Sequence, residues 1–343
     1  MAADGNDIII RGIYEGGEIP EEQEDDYGEP WEIILGDVTH LTVDEFISVI
    51  PGWRFHRHPS LVEFVCHIGV TKIEESAFER CPHLKRLIMP SVEEVEEGAF
   101  FECESFEYVE CDELEKVESY AFAHCSSLGS IDLPSARVVK ECAFIGCSNL
   151  MHANFGKSLE SLGEMALANC GSIERITIPL KNGLFNSPLK NGLFKRDKVF
   201  AGCDNLKRVD LVDGDAIQET LETLLVDEWR IDIRNEIDSI NQILPNADLT
   251  ARYSESGGKT EAIRKWISRV LDKIISYKAQ HRRLTNEAAT VLLDVLSNDM
   301  LVTKNVLPFL ALPSYTFDGE DESNVNLLNS DQPTRKRPQL EGE

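Results

Sequence analysis

Basic residues are scarce in this chain. It has 34 Lys and Arg against 61 Asp and Glu, a net charge of −27 over 343 residues. Such a chain lacks the basic face that a nucleic acid or an anionic membrane needs, so neither is expected as a partner. Long apolar runs are missing too: none approaches the roughly 18 residues that a membrane-spanning helix requires. No apolar stretch follows Met1 to read as a secretion leader, and no Asn-x-Ser/Thr sequon occurs. The nine cysteines are odd in number, so they do not read as a complete disulfide framework. Together these features favour a reducing compartment. The expected localisation is cytoplasmic, with the nucleus as the alternative.

What is present is a ruler. Cys81, Cys103, Cys125, Cys147, Cys170 and Cys203 each follow a Phe or Leu by three residues: Phe78, Phe100, Phe122, Phe144, Leu167 and Phe200. The steps are 22, 22, 22, 23 and 33 residues. A fixed period in this range marks a solenoid, whose units stack because none can bury its own apolar edge. The unit reads φ-x-x-x-A-F-x-x-C-x-x-L-x-x-φ-x-φ, where φ is apolar. Its last part alternates and predicts a short strand. The A-F-x-x-C-x-x-L part predicts a single tight helical turn, with Cys as a small apolar filler.

The offsets extend upstream through Phe55, His58 and Leu61, with His58 in the cysteine slot. Eight strands are expected, at 38–43, 61–66, 84–89, 106–111, 128–133, 150–155, 173–178 and 206–211. They should form one parallel ladder with columns of Phe, Leu and Cys inside. One coil carries a nine-residue tandem duplication, Pro179-Leu-Lys-Asn-Gly-Leu-Phe-Asn-Ser followed by Pro188-Leu-Lys-Asn-Gly-Leu-Phe-Lys-Arg. It is expected to bulge as a surface loop, since insertions cost little closure entropy. It is either a tolerated accident or a contact loop presenting Phe185 and Phe194.

In each strand the residues flanking the middle apolar position face outward, and they line up across coils in two rows. The rows contain Glu63 and Val65, Arg86 and Ile88, Tyr108 and Glu110, and Ser130 and Asp132. They continue through His152 and Asn154, Arg175 and Thr177, and Arg208 and Asp210. This mixed face, with aromatic and Arg residues suited to hot spots, is the candidate protein- or peptide-binding surface. The alternative is a solvated face with no partner.

The repeat resembles the BspA-type leucine-rich repeat over residues 38–212. Downstream, the chain resembles the tail of a large set of diatom leucine-rich repeat proteins. That match lies in Val209-Asp-Leu-Val212, Trp229-Arg230, Glu236-Ile-Asp-Ser-Ile-Asn-Gln-Ile-Leu-Pro245, Lys259-Thr260, Trp266-Ile267 and Tyr277-Lys278. The resemblance implies an α/β solenoid fold and protein binding, and it carries over no catalytic residue. Family members with secretion signals act as surface adhesins, so a secreted or cell-surface adhesion protein is the alternative function.

After Val212 the period changes. Ile217, Leu221 and Leu224 predict a short helix, and Val226 to Leu244 a longer one that Pro245 ends. Thr260 is a plausible N-cap for a heptad helix at 260–298. Its stripe runs through Ile263, Ile267, Val270, Ile274, Tyr277, His281, Leu284, Ala288, Val291 and Val295. A stripe of this length must meet a partner. It either caps the repeat stack or mediates self-association, as a homodimer or with another helical protein. Tyr277 and His281 read as register-setting or edge positions rather than ligands.

Chemistry is sparse. Ser254-Glu-Ser-Gly-Gly-Lys259-Thr260 lacks the first Gly of a phosphate loop, since Tyr253 holds that place, and no buried strand precedes it. His56 and His58 are too few for a metal site, and the cysteine spacing matches no zinc motif. The carboxylates are spread along outward positions, so no acid–base pair can be nominated. We therefore expect no enzyme, no metal and no cofactor, although folding could assemble a site from distant residues. Arg335-Lys-Arg337 reads as a solvated cluster or a short nuclear import signal. The expected organisation is an acidic disordered segment at 1–32, a solenoid at 33–212, a helical domain at 213–300 and a flexible tail at 301–343.

Overall fold

The computed structural model describes residues 11–14, 37–185, 198–212, 214–246 and 258–295. A strand β1 (Arg11–Tyr14) comes first. Each coil then contributes a longer strand and a short one. These are β2 (His40–Val43) with β3 (Val49–Ile50), β4 (Glu63–Val65) with β5 (Lys72–Ile73), and β6 (Arg86–Ile88) with β7 (Glu94–Val95). Next come β8 (Tyr108–Glu110) with β9 (Lys116–Val117), β10 (Ser130–Leu133) with β11 (Val138–Val139), and β12 (His152–Phe155) with β13 (Ser161–Leu162). β14 (Arg175–Ile178) and β15 (Arg208–Leu211) close the stack. Helices α1 (Gly214–Thr223), α2 (Asp227–Ile243) and α3 (Gly258–Val295) follow, with a 3-10 turn at Leu244–Asn246 after α2.

All eight expected strands are present and parallel, but they do not make one ladder. β1, β2, β4, β6 and β8 form one sheet, and β10, β12, β14 and β15 another. The break between β8 and β10 coincides with two local features. Glu110 and Asp132 bring like charges into one outward row, which disfavours pairing. Gly129, just before β10, has no side chain to pack. A second ladder, β3-β5-β7-β9-β11-β13, runs through the stack without interruption. It was not expected, because two-residue strands leave no alternation to read.

The turn segment is not helical either. Alternate N–H groups donate across coils: Phe78 to the Ala99 carbonyl, Phe100 to Ala121, Phe122 to Ala143 and Phe144 to Ala166, each at 2.8 Å. Between them run β-turns such as Glu79 N–H to Ser76 O and Cys81 N–H to Phe78 O. Two positions per coil hold positive φ, for example Ser76 (52°) and Arg80 (56°). The cross-coil bonds use N–H groups that a helix would need, and this third ladder locks the corner of the coil.

The expected columns fill the core. Phe78, Phe100, Phe122 and Phe144 are fully buried. Their rings stack at 5.1, 5.1 and 5.3 Å between centroids. Cysteine does more than fill space. Each thiol donates to the carbonyl of the Phe or Leu one coil back: Cys81 to Phe55 (2.9 Å), Cys103 to Phe78 (3.0 Å), Cys125 to Phe100 (3.2 Å) and Cys203 to Leu167 (3.0 Å). A small side chain with a weak donor suits a dry core lined with carbonyls. His58, in the same slot, instead accepts the Leu61 N–H on Nδ1 at 3.1 Å.

Three further expectations are corrected. Residues 11–14 lie in the segment expected to be disordered, yet Arg11–Tyr14 pairs with His40–Val43. The rest of that segment lies outside the described residues. The first copy of the duplication does not bulge. Leu180, Leu184 and Phe185 are buried, the Leu184 carbonyl accepts the Leu162 N–H at 2.6 Å, and Phe185 meets Phe200 edge-on at 5.9 Å. The first copy thus supplies the apolar contacts of a coil, while Phe194 lies outside the described residues. Finally, α3 begins at Gly258, so Thr260 sits inside its first turn rather than at its N-cap.

That placement closes the stack. In every coil but the last, the Phe or Leu N–H finds a carbonyl one coil on. Phe200 has no next coil, and its N–H donates to Thr260 Oγ1 at 3.1 Å. Lys259 Nζ donates to the carbonyls of Cys203, Asp204 and Leu206 at 2.8, 2.9 and 2.7 Å. The Val209 N–H of β15 donates to Asn241 Oδ1 of α2 at 3.0 Å. The helices therefore cover the open end of the stack with these hydrogen bonds.

α2 and α3 pack as an antiparallel hairpin. Trp266 Nε1 donates to the Glu236 carbonyl at 2.9 Å. Tyr277 stacks on Trp229 at 5.3 Å and donates to Asp232 at 2.8 Å. Ile263, Ile267, Val270 and Ile274 are buried, and so is His281. The stripe does not stay covered: Leu284 is 39% and Val291 60% exposed. At ~1.5 Å per residue, α3 extends about 57 Å and α2 about 26 Å, so the shorter helix cannot cover the longer one. Residues 296–298 and the tail at 301–343, including Arg335–Arg337, lie outside the described residues. Among the described residues, no helix is long and apolar enough to cross a membrane.

Candidate protein-binding face

The outward residues of the longer strands meet in register. One row runs His40, Glu63, Arg86, Tyr108 and resumes as Ser130, His152, Arg175, Arg208. The other runs Thr42, Val65, Ile88, Glu110 and resumes as Asp132, Asn154, Thr177, Asp210. Their alternating partners, such as Phe64, Leu87, Ile131 and Ile176, are buried. The strand period thus divides each strand between core and face. Arg86, Tyr108, Asp132, His152, Arg175 and Arg208 are exposed, while Glu63, Ile88, Glu110 and Asn154 are half-buried.

The break at β8/β10 separates two kinds of surface. On the C-terminal side, Arg175 and Arg208 both pair with Asp210, Arg208 at 2.9 Å, and Thr177 donates to Asn154 Oδ1 at 2.8 Å. Two arginines there share one carboxylate. On the N-terminal side, Arg86 lies 3.6 Å from Glu63 and stands over the Tyr108 ring at 5.0 Å. This cation–π contact holds the Tyr108 ring, which remains 47% exposed.

A cleft of about 550 Å³ opens beside it, lined by Val62, Glu63, Lys85, Arg86, Glu107 and Tyr108, with His40 at its end. Lys85 and Glu107 belong to a third row that the sequence reading missed. Each directly precedes an outward strand residue. Because these strands are short, starting at Glu63, Arg86 and Tyr108, the preceding residue is also at the surface. The signal was the strand length, which the repeat pattern overstated.

The rest of the solenoid offers little reactive chemistry. Burial raises the thiol pKa of Cys66 to about 12, and that of Cys111 likewise, with the nearby Asp112, Asp132 and Glu110 adding to the effect. Burial also raises Cys125 and Cys203 well above the usual thiol range. Thiols held neutral in this way are poor nucleophiles and poor metal ligands. Among the described residues, no group of three or more His, Cys, Asp or Glu is placed to hold a metal.

Residues 118–223 match the sequence family described as the BspA type leucine rich repeat region, in six copies. Over those residues the chain is similar to BspA-type leucine-rich repeats. Similar solved structures include a leucine-rich repeat protein of T. pallidum, 21% identical, with a TM-score of 0.35, covering 51% of this chain and 71% of that one. Another comes from Bacteroides ovatus, 22% identical, with a TM-score of 0.31, covering 51% of this chain and 61% of that one. A leucine-rich cell surface protein of Faecalibacterium prausnitzii is 15% identical, with a TM-score of 0.21, covering 51% of this chain and 60% of that one. The chain thus spans less than two thirds of the last two. No curated protein matches it. The family match ends at residue 223, so it does not bear on the expected likeness of the helical tail to the diatom set.

Proposed function

We propose that this protein is a non-enzymatic recognition scaffold that binds a protein or peptide across its outward strand face. Leucine-rich repeats are generally protein-interaction modules, and solenoids present extended surfaces rather than enclosing a reaction. The observation that carries the reading is the register of Arg86, Tyr108, His152, Arg175 and Arg208. These large side chains stand exposed on a backbone pinned by three ladders. A preorganised face of this kind loses little conformational freedom on binding.

The helices serve as a cap rather than a dimerisation device. Lys259, Thr260 and Asn241 bond the last coil, and the stripe left open runs only from Leu284 to Val291 among the described residues. A homodimer through α3 would have to form on that stretch. We place the protein in a reducing compartment, the cytoplasm or nucleus. Every thiol in the Cys81-to-Cys203 column is engaged as a donor, an arrangement that oxidation would abolish.

The test is charge introduction on the face. R86E/Y108E should abolish partner binding while leaving the thermal melt unchanged, because both side chains are exposed. The larger charge change K72E/K116E, on the second ladder, should leave binding intact. Binding that ignores R86E/Y108E would refute the reading.

A further inference from the structure

The face is not uniform, and its middle carries information about the partner's chemistry. Across β4, β6, β8 and β10 and the residues just before them stand four carboxylates, Glu63, Glu107, Glu110 and Asp132, against two cations, Lys85 and Arg86. Arg86 is already engaged with Glu63 and the Tyr108 ring. Among the described residues, none of Glu107, Glu110 and Asp132 has a cationic partner, whereas the two arginines farther along share Asp210. The Tyr108 hydroxyl donates to the Glu110 carboxylate at 3.5 Å.

Space lies beside them. β8 and β10 are not hydrogen-bonded to each other, although Cys111 Sγ reaches the Asp132 carbonyl at 3.6 Å and keeps the coils adjacent. A Cβ at Gly129 would meet nothing within 4 Å. On the other side of Tyr108 the cleft adds about 550 Å³. A half-exposed aromatic ring, a gap next to a glycine and unmatched carboxylates therefore share one stretch of face.

We propose that this stretch is a subsite for a cationic peptide segment of a partner protein. Its Lys or Arg side chain enters the gap over Gly129 and is held by Glu107, Glu110 and Asp132, with Tyr108 as the aromatic anchor. The inference rests on the strand face being the binding surface and adds the partner's charge. The field of a chain with net charge −27 would steer a basic segment toward it and repel an acidic one. An aromatic surface beside the carboxylates adds cation–π attraction.

The experiment uses the full chain and two fluorescein-labelled peptides, three repeats of Gly-Ser-Lys-Arg and three of Gly-Ser-Glu-Asp, read by anisotropy at near-physiological ionic strength. Because any polycation is drawn to an acidic protein, two triple variants of equal charge are compared. E107Q/E110Q/D132N lies on the proposed subsite, and E75Q/E97Q/E141Q on the opposite corner. The Lys-Arg peptide should lose about tenfold in affinity with the first and less than about twofold with the second. G129L, whose Cβ would meet nothing within 4 Å, places an apolar side chain in that space and should also cost about tenfold. Equal losses with both triples, no loss with G129L, or preference for the Glu-Asp peptide would overturn the proposal.

A random-peptide display library panned on the wild-type chain and counter-selected on R86E/Y108E separates the two readings. Face-dependent peptides enriched in Lys and Arg support the inference. Face-dependent peptides without that excess overturn it and leave the strand-face reading standing. Recovery of no face-dependent peptide counts against both.

Discussion

Replacing Lys259 by Met is the most direct probe of how this solenoid ends. Met keeps an unbranched stem of similar length and removes the ammonium that donates to three carbonyls of the last coil. A hydrogen bond to a charged group contributes about 1.5–3 kcal/mol. Burial works against the ammonium and lowers the Lys259 pKa, which offsets part of that gain. The Cys203 carbonyl keeps the Leu206 N–H at 3.2 Å, so the loss falls mainly on the other contacts of the ammonium. The net cost expected is about 3 kcal/mol. At about 2–4 °C per kcal/mol for a domain of this size, the melting temperature should fall by roughly 6–12 °C. Circular dichroism gives the melt, and hydrogen exchange locates the loss. Stability in a solenoid is a sum of neighbour terms, so amides of 198–212 should lose protection first and those of 77–103 last. Lys259→Arg should rescue little, because a planar fork cannot reproduce three converging donors. A melting temperature within about 1 °C of wild type, with unchanged protection at 198–212, would refute the account of the cap.

Other outcomes follow from the same geometry. Phe100→Ala removes a ring stacked between Phe78 and Phe122 and should cost about 3–5 kcal/mol in denaturant unfolding. Gly156→Ala should prevent normal stacking of its coil, because the new Cβ would stand 1.6 Å from the Pro134 carbonyl oxygen; the readout is loss of a cooperative melt. Acid should loosen the helical hairpin. Hydrogen bonds from Lys273 and Tyr277 hold the Asp232 carboxyl below its usual value of 3.8. At Glu236, burial opposes ionisation, but Arg269 and Lys273 outweigh it and hold the group below 4.5. Both pKa values are depressed, so their contribution is complete above the unfolded values and is lost as pH falls through the folded ones. Helicity should therefore drop below about pH 4 in wild type and more shallowly in D232N/E236Q. Light scattering on the full chain should return a monomer, and a dimer at micromolar concentration that L284E/V291E dissolves would make the open end of α3 an assembly surface.

The sequence by itself determined the solenoid, because a period of 22 residues written in Phe, Cys and Leu can be satisfied only by stacking. It determined the two outward rows, since the strand period of two leaves no choice of face once Leu87 or Ile131 must be buried. It also located the three helices to within a few residues. Tertiary structure decided the rest. The second ladder and the run of turns depend on hydrogen bonds between residues a full coil apart, which no local pattern records. The break at β8/β10 coincides with Glu110 and Asp132 falling in one outward row, a like-charge neighbourhood that exists only once the coils are in register. The roles of Lys259, Thr260 and Asn241 were hidden for the same reason. Each satisfies a donor or acceptor that the last coil leaves open, and that need arises only where the stack stops. The cleft by Tyr108 was likewise invisible, because it is made of neighbours in space.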